Sequence, residues 1–374
     1  METSTKIWAG IIIVGVVILL LIANYSGNVV KKDKITIGCI VPLSGDLAVL
    51  GQNVKPAMEL AVEKINAEGG INGKELEIIF EDEKCNSKEA VNAANKLINV
   101  DGVPVIIGPT CSASTMAIAP IAENAKVVVF STGSSAPTIT NAGDYIFRDY
   151  PTDTFQGKFA AEYAYNELGA RKVAVMYTLG DYGVGINNNF IKNFEKLGGK
   201  VVYDEGFDQS TKDLRTQLTK IKSAKPDLIY FVSYTEAGII GLKQIKELGI
   251  KAKILGGDAW DDPKILEEAG KAAEGIMYTI PAMSGINEEF KQEMKEKTGS
   301  EEITVSTPNS YDAVMIIAEI MRKVGTNTEK IKDALYQVKD YEGVSGKITI
   351  DENGDLADAE YEIKIVRNGR AEII

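Results

Sequence analysis

Short apolar runs alternate with amphipathic helical stretches through most of this chain, and that rhythm limits its possible folds more than any other feature. ITIGCIV at 35–41 reads as a buried strand; Val54, Ala57, Met58, Ala61 and Ile65 then recur at helical spacing until Gly69 and Gly70 end the helix. Further candidate strands are LEIIF at 76–80, VPVIIG at 103–108, VVVF at 127–130, KVAVMY at 172–177, KVVYDE at 200–205, DLIYFV at 227–232 and KILGG at 253–257. Strands that are apolar on both faces need cover on both faces. The rhythm therefore predicts an α/β chain of parallel sheets flanked by helices, with enough strands for two sheets rather than one. A strand–helix series spans 35 to about 150 and a second spans about 154 to 280. KITI at 347–350 and EYEIKIV at 360–366 read as paired strands joined through the turn Asp351–Asp355.

Composition narrows the function. The 374 residues carry 53 acidic against 41 basic side chains, a net charge of −12, so an electrostatic grip on nucleic acid is not expected. The chain has no histidine, which removes His-based triads and zinc-hydrolase sites but leaves Asp, Glu, Lys and Tyr chemistry open. Neither a phosphate-binding P-loop nor a GxSxG elbow is present, so no enzyme class, cofactor or metal is indicated.

Residues 8–23 form an uncharged apolar run, with Glu2 and Lys6 before it. Its length fits a cleaved signal segment or an uncleaved membrane anchor. Ala23-Asn24-Tyr25-Ser26 is a poor cleavage site, which favours a single-pass anchor; if the segment is cleaved, the protein is secreted. Lys31, Lys32 and Lys34 follow the run, and a plain positive-inside count would leave the large domain in the cytoplasm. The cysteines argue the other way. Cys85 and Cys111 each follow a candidate strand, and two strand ends on one edge of a parallel sheet can approach closely enough for a disulfide, which would place the domain outside the cytoplasm. Two reduced, partly buried thiols are the alternative. Cys39, within the first strand, reads as a small core residue.

GPTCSAST at 108–115 combines a strand end, a tight turn and small hydroxyl residues opening a helix. Unpaired N–H groups there, beside Ser112 and Ser114, suit a carboxylate. STGSSAPTIT at 131–140 repeats the arrangement with Ser134 and Ser135 after the next strand. Each cluster can also be a plain helix cap, but ligands of open parallel sheets bind beyond the carboxyl ends of strands, where both segments fall.

The chain resembles the leucine/isoleucine/valine-binding protein family, the type I periplasmic receptors of ABC importers. The matching pieces are IVPLSGDLAVLGQ at 40–52, AVEKINAEGGINGKEL at 61–76, EDEKCNSKEAVNAANKLI at 81–98, GPTCSAST, GDYGVG at 180–185, LGGDAW at 255–260 and ITIDENGDL at 348–356. Together they cover essentially everything after Ile35.

The resemblance implies two doubly wound lobes joined by a hinge that the chain crosses three times. Lobe one would be 35–153 with 282–355 and lobe two 154–281 with 356–374, after a segment and linker at 1–34. It implies that Ser112, Gly133 and Ser135, with Ser134 in the same turn, hold a ligand's α-carboxylate and α-ammonium, and that Asp258 of the other lobe completes the ammonium site. Leucine-type members place Glu there, so this chain is one methylene short. Tyr182 and Tyr234 match aromatics facing the cleft, and Leu50 falls where branched-chain binders can carry Trp. The implied function is extracytoplasmic capture of a small, branched-chain-like amino acid for delivery to an ABC permease. A sensory module for an amino acid, amide or urea, working with a signalling partner, is the alternative.

Overall fold

The computed structural model describes residues 33–45 and 47–374. The expected membrane segment at 8–23 lies outside them, and among the described residues no helix is long and apolar enough to cross a membrane.

Two large sheets form, as the strand count predicts, beside a small two-stranded one. The first is wholly parallel: β1 Lys34–Val41, β2 Glu75–Asp82, β3 Val105–Ile107, β4 Val128–Ser131 and β5 Ile146–Arg148, in spatial order β2-β1-β3-β4-β5. The second comprises β6 Lys172–Thr178, β7 Lys200–Phe207, β8 Leu228–Val232, β9 Lys253–Gly256, β10 Met277–Pro281, β13 Tyr361–Arg367 and β14 Arg370–Ile373, in order β14-β13-β10-β9-β8-β6-β7. Its first five strands run parallel; β13 and β14 are antiparallel additions at the edge.

Both faces of each sheet are covered, which explains the continuous apolar runs. In β6, Val173 and Val175 pack with Ala160, Ile186 and Phe190 on one side, whereas Ala174 and Met176 pack with Leu218, Phe231 and Leu242 on the other. In the first sheet Ile37, Phe130 and Phe147 face Met58, Ile317 and Met321, while Ile40, Ile106 and Val129 face Ala93 and Ile118. Each such side chain contributes roughly 1.5–3 kcal/mol by leaving water.

The C-terminal region differs from the sequence expectation. KITI does not pair with EYEIKIV. Instead β12 Gly346–Ile348 pairs with β11 Tyr341–Gly343, while β13 joins β10 and β14. The turn at 351–355 closes on itself through an Ile350–Leu356 bridge, and residues 357–360 then carry the chain across to the second sheet. Strands β5, β10, β11 and β14 escape a reading based on apolar runs; β5 and β11 have only three residues each, and β14 carries a charge at every second position, Arg370 and Glu372.

Candidate functional site

Each sheet has one point where strand order reverses, between β1 and β3 in the first and between β6 and β8 in the second. Helices leave opposite sides of a sheet at such a point and open a crevice beyond the strand ends. Here the two crevices face each other and close around one cavity, with room for the centres of water-sized molecules of about 60 Å³. That is a few waters' worth of space, which suits a small metabolite and excludes a peptide.

The first sheet supplies donors. Helix Ser112–Ala125 begins after Cys111, whose side chain caps nothing. As first-turn residues, Ser112 and Ala113 have backbone N–H groups with no intrahelical acceptor. The buried Ser112 Oγ accepts the N–H groups of Ser135 at 3.2 Å and Ala136 at 3.1 Å, which leaves its own hydrogen to donate. Gly133 lines the cavity beside it, and a Cβ there would stand 2.6 Å from Thr110 Cγ2. Leu50 lines the wall with Leu47 and Val49, near Asn53, whose amide donates to Thr304 Oγ1 at 3.1 Å.

This corner is braced from behind. Cys85 and Cys111 form a disulfide with Cα atoms 5.4 Å apart. Glu83 Oε1 accepts the N–H groups of Thr110 at 2.9 Å and Cys111 at 3.3 Å. Burial pushes the Glu83 carboxyl up to about 7. Ser134 is not brought to the cavity: its hydroxyl donates to Pro109 O at 3.0 Å and lies 2.8 Å from Thr115 Oγ1, so the turn spends it on its own internal bonding.

The second sheet supplies carboxylate. Asp258, just past β9, is buried and held by the Tyr150 hydroxyl at 2.6 Å, the Tyr182 hydroxyl at 3.0 Å and the Ala259 N–H at 3.0 Å. It does not cap the next helix; Asp262 does, accepting Lys264 N at 2.9 Å. Tyr182 stacks on Tyr234 with ring centroids 5.3 Å apart, and both line the cavity. Gly257 makes room, since a Cβ there would meet Tyr182 Oη at 2.6 Å. Trp260 packs in the core, its indole N–H donating to Ser233 Oγ at 2.9 Å.

Two further residues escape a sequence-only reading. Tyr150 lines the cavity from the first crossover between the sheets. Asp153 is fully buried, off the cavity wall, beside the hydroxyl of Ser135 and within reach of the charge of Asp258. In the sequence Thr152-Asp153 looks like an ordinary helix start, and Thr152 does cap that helix; only the tertiary packing shows the acid turned inward near Asp258.

Burial raises both acids, and for Asp153 the charge of Asp258 adds to the effect. Neither has an ion-pair partner among the described residues. Arg148, the nearest buried cation, is committed to Asp355 through Nε at 2.7 Å and Nη2 at 3.0 Å. The site thus offers N–H and hydroxyl donors at a helix N-terminus on one side and, on the other, the Asp258 carboxyl without an ion-pair partner. An anion-and-cation pair on a small molecule satisfies both.

Comparison with known proteins places the chain in a family. The family described as periplasmic binding protein matches residues 34–369. The leucine-, isoleucine-, valine-, threonine- and alanine-binding protein of Pseudomonas aeruginosa is 31% identical, over 91% of this chain and 92% of its own. A crystal structure of a leucine-binding protein from Thermotoga maritima is 33% identical with a TM-score of 0.86, covering 91% of this chain and 97% of that one. A solute-binding protein of an ABC transporter from Rhodopseudomonas palustris, solved with 3,4-dihydroxybenzoic acid, is 25% identical with a TM-score of 0.79, covering 91% of this chain and 95% of that one.

Proposed function

We propose, from the premise that this chain belongs to the periplasmic binding protein family, that it is an extracytoplasmic receptor for a small amino acid of the branched-chain type, which it hands to an ABC permease. The family is one of solute-binding proteins rather than enzymes. The observation that carries the reading is the buried Asp258, without an ion-pair partner, on the cavity wall opposite the uncapped helix start at Ser112.

In this reading Ser112, Gly133 and Ser135 receive the α-carboxylate, and Asp258 receives the α-ammonium, with buried Asp153 adding negative charge nearby. Leu47 and Leu50 give the side chain an apolar wall, which supports an aliphatic group. An aromatic acid such as the one bound by the Rhodopseudomonas palustris protein would satisfy the Ser112 end but bring no cation to the two acids.

The mechanism is closure of two lobes, 35–153 with 282–355 and 154–281 with 356–374. A ligand seated on lobe one gains contacts with Tyr182, Tyr234 and Asp258 only when lobe two swings over it, and that differential affinity shifts the open and closed populations. The closed, loaded form is the one a permease would recognise. The segment at 8–23 would tether the protein to the membrane, or direct secretion if cleaved.

The test is thermal unfolding of the purified protein against the twenty amino acids, short amides, urea and hydroxybenzoates. An aliphatic amino acid at a hundredfold excess over its Kd should stabilise by about 2.7 kcal/mol, and Ser112→Ala should abolish the shift. A shift with hydroxybenzoates and with no amino acid would overturn the ligand class.

A further inference from the structure

Ser306 lines the cleft from the loop that leads into helix Thr307–Val324, and the reading above gives it no role. The residue is only 3% exposed. Its hydroxyl caps nothing and has no hydrogen-bond partner among the described residues. The Thr110 hydroxyl also lacks a partner but is sealed inside the wall, with essentially no accessible surface, whereas that of Ser306 is not sealed. A Cβ placed on Gly133 would stand 3.2 Å from Ser306 Oγ, so this oxygen faces the bare backbone of Gly133, at the end of the cleft assigned to the ligand's main chain.

Its polar neighbours on the wall are engaged elsewhere. Asn53 donates to Thr304 Oγ1, which in turn lies 3.3 Å from Thr307 Oγ1, and Thr235 donates to Asp262 at 2.7 Å. Asp261 Oδ2 accepts the Val305 N–H at 3.2 Å, while its other oxygen takes Lys364 Nζ at 2.5 Å and Tyr278 Oη at 3.2 Å. Val305 also buries its side chain in the core of the second sheet, so the loop is pinned and the Ser306 side chain is held in place. The backbone there is unusual. Ser306 has φ +68°, in the left-handed region where glycine is at ease and serine is not. Glycine would serve the turn better; what serine adds is a hydroxyl. An unfavourable conformation that presents a buried, unpaired polar group to a cavity points to a group on the ligand.

We propose that Ser306 hydrogen-bonds a hydroxyl on the β-carbon of the ligand and so makes the cleft selective for a β-branched hydroxy amino acid, threonine, over its isostere valine. This rests on the receptor reading of the cleft and narrows its ligand class. A zwitterion held by Ser112 and Gly133 at one end and by Asp258 at the other keeps its α-carbon beside Gly133, and a substituent on the next carbon is then what comes within reach of Ser306. The wall is apolar at Leu47 and Leu50 and polar at Ser306, and threonine carries a methyl and a hydroxyl on one carbon. Valine fills the same space but leaves the serine hydroxyl buried and unpaired. A site built around a substrate hydroxyl discriminates against the analogue that lacks it.

The experiment is isothermal titration of the purified full chain with L-threonine, L-valine and L-leucine, repeated on Ser306→Ala and on Ser306→Gly. The glycine variant removes the hydroxyl while relieving the backbone, so a loss seen in both variants belongs to the hydroxyl rather than to the turn. Wild type should bind threonine about tenfold more tightly than valine, the scale of one hydrogen bond made or left unmade. Both variants should erase that preference, chiefly by weakening threonine. A wild type that binds valine or leucine as tightly as threonine, or variants that weaken threonine and valine by the same factor, would overturn the proposal and leave the receptor reading standing. Failure of every amino acid to bind the wild type would overturn the receptor reading, and this inference with it.

Discussion

The hydroxyl of Tyr150 donates to Asp258 Oδ2 across 2.6 Å, so a residue of the first crossover holds the carboxylate that lies just past β9. Tyr182 takes the other oxygen at 3.0 Å. Asp258 is therefore oriented by two neutral donors before any cation arrives, and its geometry depends on the hinge as well as on its own lobe. Tyr150→Phe should weaken amino-acid binding by about tenfold, in line with roughly 1.5 kcal/mol for a hydrogen bond to a charged group. Calorimetric titration checks this, and an unchanged Kd would mean that Tyr150 does not position the acid.

Asp153→Asn and Asp258→Asn should move two measurements in opposite directions. Binding of an α-amino acid should fall by about 2–5 kcal/mol, the scale for losing one partner of a buried charge pair. Stability without ligand should hold or rise, because each acid is buried with its ionised form disfavoured. A variant that loses ligand-free stability and keeps its affinity would assign the acid to the fold instead.

Glu83 predicts a pH dependence with a definite sign. Its folded value of about 7 lies above the ordinary 4.5, so the folded state binds the proton more tightly than the unfolded state does. The contribution to stability is complete below about 4.5 and is lost as pH rises through about 7. The loss should approach about 3 kcal/mol by pH ~8. Urea unfolding of wild type and Glu83→Gln from pH ~5 to ~8 would show the difference; parallel curves would contradict it.

Removing the disulfide by Cys85→Ser with Cys111→Ser should cost about 3 kcal/mol of stability, the chain-entropy value for a loop of this size. It should also weaken ligand binding, because Cys111 immediately precedes Ser112 and is the N-cap of its helix. Cys39 would be the thiol left behind. It is fully buried and burial pushes its thiol up, so it should react with thiol reagents only on unfolding. An intact Kd and midpoint in the double variant would show that the bridge braces nothing.

Much of the first sheet's half of the site was legible in the sequence, for a local reason. Ser112, Gly133 and Ser135 sit in turns that directly follow apolar strands, and strand ends at a reversal of order are where such folds bind ligands. Ser134 is not separable from Ser135 in the sequence, since adjacent serines in one turn look alike until the packing decides which hydroxyl turns inward to Pro109 and Thr115. Asp153 and Tyr150 left no local mark. One looks like part of a helix cap, the other precedes a proline, and their roles arise only where the hinge brings them to Asp258.

From the sequence alone, the periodicity of apolar residues determined that this chain makes two helix-covered sheets, because a strand apolar on both faces is stable only when both are covered. The edge of the second sheet, the pairing of the last strands and the charge balance of the cleft were decided by the tertiary structure. Pairing at an edge depends on which strand end lies free after the chain has crossed over. A carboxylate's need for a cation depends on whether burial leaves it a partner, and neither is a property of neighbours in the sequence.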